Sequence, residues 1–298
     1  MPDTDEARRA RALLLLMMAV WGLNLSAIKV LTGHFEPLLV AVLRMSVACL
    51  VLWAAMLWQR TSWPVFTVRR VMALCACAVC MVYGNQILLA DGLVRTGASN
   101  AALIMALSPL VSMLLAAIFL RERLTPRRLA GLVLGFGGVA AVTLSRPAAG
   151  WTEAGLGDLQ VFAAIASFCA GGLIVQRLSG AMTPLALAGS MYTLGAALLL
   201  LHLLLSPVSL TAGKVFPGVG PWSLIVFSGA MATAWGALLW NRGIAVLGAT
   251  RTAQFQYWVP IFGVGFAALF LGEPLTVWHA FGLAAVIAGN WLGTRPAR

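Results

Sequence analysis

The chain has 298 residues, 61% of them hydrophobic and only 10% charged, with a formal net charge of +11 and a mean hydropathy of +0.93. A soluble fold of that size has no way to hide so much apolar surface, which excludes soluble enzymes and cytosolic binding domains. In so apolar a chain the basic surplus reads as a membrane-topology signal rather than a nucleic-acid footprint.

Apolar runs of about twenty residues recur, the length a helix needs to cross a bilayer. They predict ten spans, at about 12–31, 38–58, 71–91, 98–120, 126–145, 156–177, 184–205, 221–241, 248–271 and 275–293. Backbone groups in lipid must be satisfied within their own segment, so uninterrupted runs of this length are helices rather than barrel strands. Arg8, Arg9 and Arg11 ahead of the first run resemble the start of a signal peptide, but nine further spans follow. An uncleaved first helix is expected.

Span one reads AVWGLNLSAIKVL, and at 100° per residue Trp21 and Asn24 share a face. An Asn within lipid faces protein or water. Lys29, near the outer end, is either a snorkelling lysine or a functional charge. Span two carries Arg44, six residues in from its outer end. A charge at such depth costs about 2.5–3.5 kcal/mol on insertion scales, so it needs a partner or water. Asp91, at the outer end of span three, lies in the same leaflet. A structural Arg44–Asp91 or Lys29–Asp91 pair and a substrate-anion site are both open.

Span three carries Tyr83, Asn85 and Gln86, with Tyr83, Gln86 and Ala90 on one helical face. Span four contains Pro109, which removes a backbone bond and kinks the helix, and Pro260 does the same in span nine. In the loops that follow, Glu122 and Glu273 are expected to receive the next helix's N-terminal amides or a neighbouring Arg, with Thr125 and Thr276 as N-caps. Span five is glycine-rich (GLVLGFGG), which favours close packing in lipid. The five cysteines all lie within spans and read as small packing residues, so neither a disulfide nor a metal site is expected. Span seven holds Tyr192 and His202, and span eight holds Trp235. A lone His in an apolar helix is packed and hydrogen-bonded more often than catalytic. In span nine, Gln254, Tyr257, Trp258 and Ile261 share a face near mid-membrane, lining a cavity or facing lipid and packing partners.

Residues 97–132 and 248–283 align without a gap at an offset of 151, with 13 of 36 positions identical, including Gly97/Gly248, Pro109/Pro260 and Glu122/Glu273. Further upstream the offset becomes 147, pairing Pro37–Leu38 with Pro184–Leu185. An internal duplication follows, with halves at about 1–147 and 148–298. Within it, the AALIMALS of residues 101–108 becomes TAQFQYWV at 252–259, so one patch of a retained scaffold turned polar and aromatic. Five spans per half is odd, so the halves run in opposite directions. The expected fold is an all-α polytopic membrane protein of ten transmembrane helices, arranged as two five-helix inverted-topology repeats around a mid-membrane site. With the N-terminus inside, 15 of the 20 Lys and Arg fall on the cytoplasmic side, which places both termini there.

WGLNLSAIK at 21–29, the LR pair at 43–44, ALSP at 106–109, FLRERLTPRRLAG at 119–131 and FLGEPLT at 270–276 together resemble the EamA type of the drug/metabolite transporter superfamily. The resemblance covers essentially the whole chain. It implies a ten-helix bacterial inner-membrane carrier that exports amino acids or related metabolites, with the aromatic amino-acid exporters as the leading comparison. The superfamily's small multidrug members carry a carboxylate in their first span. This chain has none there, which weighs against proton-coupled export of cations.

The expected activity is secondary transport by alternating access, facilitated rather than proton-driven. A proton-coupled multidrug exporter and a membrane sensor or channel are the alternatives. No nucleotide-binding, metalloprotease or nucleophile-elbow motif is present, so no cofactor or enzyme chemistry is expected. The expected cavity wall is Trp21, Asn24, Tyr83, Gln86, Tyr192, Trp235, Gln254, Tyr257 and Trp258. Its aromatics and amides suit the side chain and polar end of a zwitterionic amino acid. Lys29, Arg44 and Asp91 are the candidate charge and gating residues, in a chain expected to act as a monomer in the bilayer.

Overall fold

In lipid every backbone group of a spanning segment must find its partner inside that segment, and the long apolar runs do so as helices. The computed structural model describes residues 5–61, 67–121, 124–145, 153–178, 182–207, 215–247, 252 and 255–294, and among them there is no strand. The helices are α1 (Asp5–His34), α2 (Pro37–Trp58), α3 (Val68–Cys77), α4 (Asn85–Arg95), α5 (Ala98–Met105), α6 (Ser108–Leu120), α7 (Pro126–Leu144), α8 (Glu153–Leu178), α9 (Pro184–Leu205), α10 (Val219–Val226), α11 (Gly236–Leu247), α12 (Trp258–Leu271) and α13 (Val277–Thr294). Seven stretches are long and apolar enough to cross a membrane. An eighth is the pair α5 and α6, bent by 41°, and Phe255–Leu271 and Val277–Gly293 are shorter apolar helices. The chain is a polytopic all-α membrane protein, and these segments fall on the ten spans expected from hydropathy.

Two spans contain wide turns. Ala78–Gly84 joins α3 to α4 and Phe227–Trp235 joins α10 to α11, both as π-helix. The second covers the positions 151 residues beyond the first. Such turns leave carbonyls poorly bonded, and hydroxyls supply the missing donors. Ser167 Oγ donates to Cys80 O at 2.7 Å, and Thr233 Oγ1 donates to Ser228 O at 2.9 Å.

The proline positions are also breaks. α5 ends at Met105, two turn residues follow, and Pro109 stands second in α6. Pro109 has no N–H for Met105 O, and the Ser108 hydroxyl donates to that oxygen instead, at 2.5 Å. Asn290 of α13 donates to the neighbouring Ala106 O at 2.8 Å. Asn290→Leu removes that donor from a dry site and should cost about 1 kcal/mol. Thermal unfolding in detergent checks this; an unchanged midpoint would show that the carbonyl is satisfied otherwise. In span nine a 3₁₀ turn over Phe255–Tyr257 leads into α12, where Pro260 stands third.

The glycine-rich face of α7 packs on α13 at backbone contact. A Cβ on Gly131 would stand 2.6 Å from Gly289 O, and one on Gly138 would stand 3.2 Å from Gly282 O. These contacts exchange under the 151-residue offset, since Gly131 and Gly138 correspond to Gly282 and Gly289. α6 and α12 likewise end in left-handed residues at equivalent positions, Arg121 (φ 56°) and Gly272 (φ 64°). Glycine adopts that conformation freely, whereas Arg121 holds it at a cost. Thr125 caps α7 as expected, accepting from Arg128 N at 3.3 Å.

Candidate functional site

Among the described residues the interior of this apolar bundle contains one buried cation. Arg44 enters from α2, seven residues past Pro37, or about 10 Å along the helix, and is 2% exposed. It makes no ion pair with Asp91. Its Nε donates to Ser228 Oγ, and its Nη1 donates to Gln86 Oε1 at 2.8 Å. Ser228 in turn donates to Asn24 Oδ1 on α1. Gln86 Nε2 donates to Asn85 Oδ1 at 2.8 Å, and Asn85 Nδ2 donates to Ala164 O of α8 at 2.9 Å. The Tyr192 phenol on α9 lies within electrostatic range of the guanidinium. The cluster is thus neutral except for Arg44, and its partners flank the wide turns: Ser228 lies in the second, and Asn85 and Gln86 follow the first.

Asn24, Gln86 and Tyr192 are therefore gathered around Arg44. Trp21 joins the same region, its Nε1 donating to Ala232 O in the second wide turn at 2.8 Å. Trp235 closes that turn and is half-buried. The other expected wall residues diverge. Tyr83 does not share the work of Gln86: its hydroxyl is hydrogen-bonded to His202 Nδ1 at 3.0 Å. The reason is the wide turn between Ala78 and Gly84, whose i→i+5 bonding breaks the 100° register on which a common face depends. Tyr257 and Trp258 part for the same kind of reason, across a 3₁₀–α junction. The Tyr257 hydroxyl donates to Asn290 O at 3.4 Å. Trp258 is 44% exposed and begins an aromatic stripe through Phe262, Phe266 and Phe270, with ring centroids 5.7–6.0 Å apart. Gln254 lies outside the described residues. Ser228 and Asn85 are cluster members that the sequence reading did not select; a small polar residue inside an apolar span was the available signal.

Lys29 is neither snorkelling nor paired with Asp91. It reaches the C-terminus of α4, where Nζ donates to the carbonyls of Leu93 (2.5 Å), Val94 (3.2 Å) and Thr96 (2.9 Å). A cation there also meets the negative end of the helix dipole. Asp91 sits apart, in a depression of about 390 Å³ shared with Thr32, His34, Glu36 and Arg95. On the other side of the same corner, Glu273 accepts from Ala98 N at 2.7 Å and Ser99 N at 2.9 Å, the first amides of α5. Glu273, expected to receive the following helix's amides or a neighbouring Arg, instead caps a helix 175 residues earlier. Thr276, at the start of that following helix, bonds its hydroxyl to His279 Nδ1 at 2.9 Å. Asp158 of α8 adds a third contact to the corner, accepting from Thr96 Oγ1 at 2.5 Å and from Thr143 Oγ1 at 3.1 Å. Residues from α1, α8 and the loop before α13 thus hold the turn between α4 and α5, at the end of the bundle opposite the chain termini.

This architecture has known counterparts. The sequence pattern of the EamA-like transporter family matches residues 9–144 and 155–294. The chain is 27% identical to the uncharacterized transporter YyaM of Bacillus subtilis, over 90% of this chain and 88% of that one. It is 29% identical to a probable terminal-alkyne amino-acid exporter of Streptantibioticus cattleyicolor, over 74% and 72% of the two chains. It is 26% identical to a probable amino-acid metabolite efflux pump of Salmonella typhimurium, over 96% and 95%. One solved crystal structure superposes with a TM-score of 0.64 over 95% of each chain at 20% identity, a likeness of fold.

Proposed function

Because the chain belongs to the EamA-like transporter family, we propose that it exports amino acids or related small metabolites across the bacterial inner membrane. It works as a monomer by alternating access, with both termini in the cytoplasm, and follows the substrate's own gradient. The observation that carries this reading is the polar cluster on Arg44. It draws Asn24, Arg44 and Gln86 from one half of the duplicated sequence and Ser228 from the other. It lies against two wide turns at matching positions of the halves. Helix irregularities at corresponding places in inverted repeats are where secondary carriers bind and move. Trp21, Asn24, Gln86 and Tyr192 form the wall beside Arg44. The amino-acid class is supported by two relatives, named as an amino-acid exporter and an amino-acid metabolite efflux pump.

Counterflow tests the reading. Proteoliposomes loaded with an unlabelled amino acid should accumulate the labelled form transiently, with no pH or voltage gradient imposed. Failure with every proteinogenic amino acid would overturn the substrate class. The Tyr83–His202 bond gives the proton-coupled alternative a titratable candidate inside the spans. If a pH gradient drives uphill accumulation and His202→Ala abolishes it, that alternative replaces facilitated export.

A further inference from the structure

We infer that Arg44 is the carboxylate-binding residue of the transport site, so that transported molecules must carry a free carboxylate. The inference rests on the exporter reading above and narrows it. A guanidinium has five N–H donors. Arg44 gives one to Ser228 and one to Gln86, and the remaining three, both on Nη2 among them, have no acceptor among the described residues. Among the described residues no carboxylate pairs with Arg44, and the expected partner Asp91 lies elsewhere. A buried cation without a counter-charge is strongly unfavourable. Folds keep one where an anion arrives as ligand, and a planar guanidinium matches a carboxylate through two parallel bonds.

The neighbours fit this use. Ser228 and Gln86 are neutral acceptors, each weaker than a carboxylate, so a ligand can replace either without leaving Arg44 unsatisfied. The Tyr192 hydroxyl makes no hydrogen bond among the described residues, which leaves it available as a second donor to the same carboxylate. Asn24 Oδ1, the acceptor at the far end of the chain of bonds, suits the ammonium of a zwitterion.

Amino acids paired with their own carboxamides provide the test, because they differ in one charge at nearly constant shape. Counterflow of L-amino acids should be at least tenfold less inhibited by the matching L-amino acid amide than by the free acid, the loss expected for one charge-assisted pair. Arg44→Gln should keep its unfolding midpoint close to wild type yet lose the stabilisation that free amino acids confer. Arg44→Lys should retain part of it. Equal inhibition by acid and amide in the wild-type protein would overturn the inference even if the variants failed to fold, and would leave the exporter reading standing. Counterflow with no amino acid at all would instead overturn the exporter reading and this one with it. Retained stabilisation in Arg44→Gln would show that Arg44 only braces the helices.

Discussion

Gly289→Val should leave little correctly assembled protein, while Gly137→Ala on the other side of the same crossing should behave like wild type. In lipid no hydrophobic force draws two helices together, so their association depends on how closely they pack. A Cβ at Gly289 would stand 2.6 Å from Gly131 O and 2.7 Å from Gly135 N, both backbone atoms of α7. Side chains can turn away from an intruding methyl, but helix backbone has nowhere to go. The only relief is to move α7 from α13, which also breaks the Gly138–Gly282 contact. Overpacking a core costs about 1–3 kcal/mol when neighbours adjust, and here the upper end, about 3 kcal/mol, applies. Gly137 has no heavy atom within 4 Å of its Cβ position, and helix propensity favours Ala there. Gel filtration and thermal unfolding in detergent compare the two directly. Similar monodisperse fractions and midpoints would show that α7 and α13 are not pressed together as described.

The helix positions were legible because membrane spans are set by length and apolarity, which are local properties. α2, α7 and α9 begin and end within about a residue of their expected limits, each opened by a proline in its first turn. A break near each repeated proline was legible for the same reason. What lies across from each side chain was less so. A uniform 3.6-residue period predicts which residues share a face, and the chain departs from it at three places that matter: Ala78–Gly84, Phe227–Trp235 and Phe255–Tyr257. Each departure redirects the residues around it, which is why Tyr83 meets His202 while Gln86 meets Arg44. Depth along a span was also too coarse a guide to pair charges. Arg44 and Asp91 share a leaflet in sequence, yet the guanidinium finds its acceptors on Gln86 and Ser228. Long-range partners such as Glu273 and Ala98 leave no local trace at all.

Glu273→Ala should be the most destabilising substitution of a polar side chain in the described structure. The first amides of a helix have no partner within it, and those of α5 are exceptionally dry: Ala98 and Ser99 are buried to within 2%. Glu273 satisfies both amides with its two oxygens and places a negative charge at the positive end of the helix dipole. Gly97 makes the approach feasible, because a Cβ there would stand 2.9 Å from Glu273 Oε2. Water has poor access to replace the carboxylate, so its removal leaves buried donors unsatisfied, at about 2–4 kcal/mol. Glu273→Gln keeps one acceptor oxygen and loses the charge, and should cost about half as much. Lys29 grips the carbonyls on the other side of the same turn, so Lys29→Met should destabilise as well. Paired with Glu273→Ala it should add less than the sum of the two, since both act on one corner. Thermal unfolding of the single and double variants measures this coupling. Strict additivity would mean that the two residues hold the α4–α5 turn independently, and a Glu273→Ala protein as stable as wild type would mean that the amides of α5 are served from elsewhere.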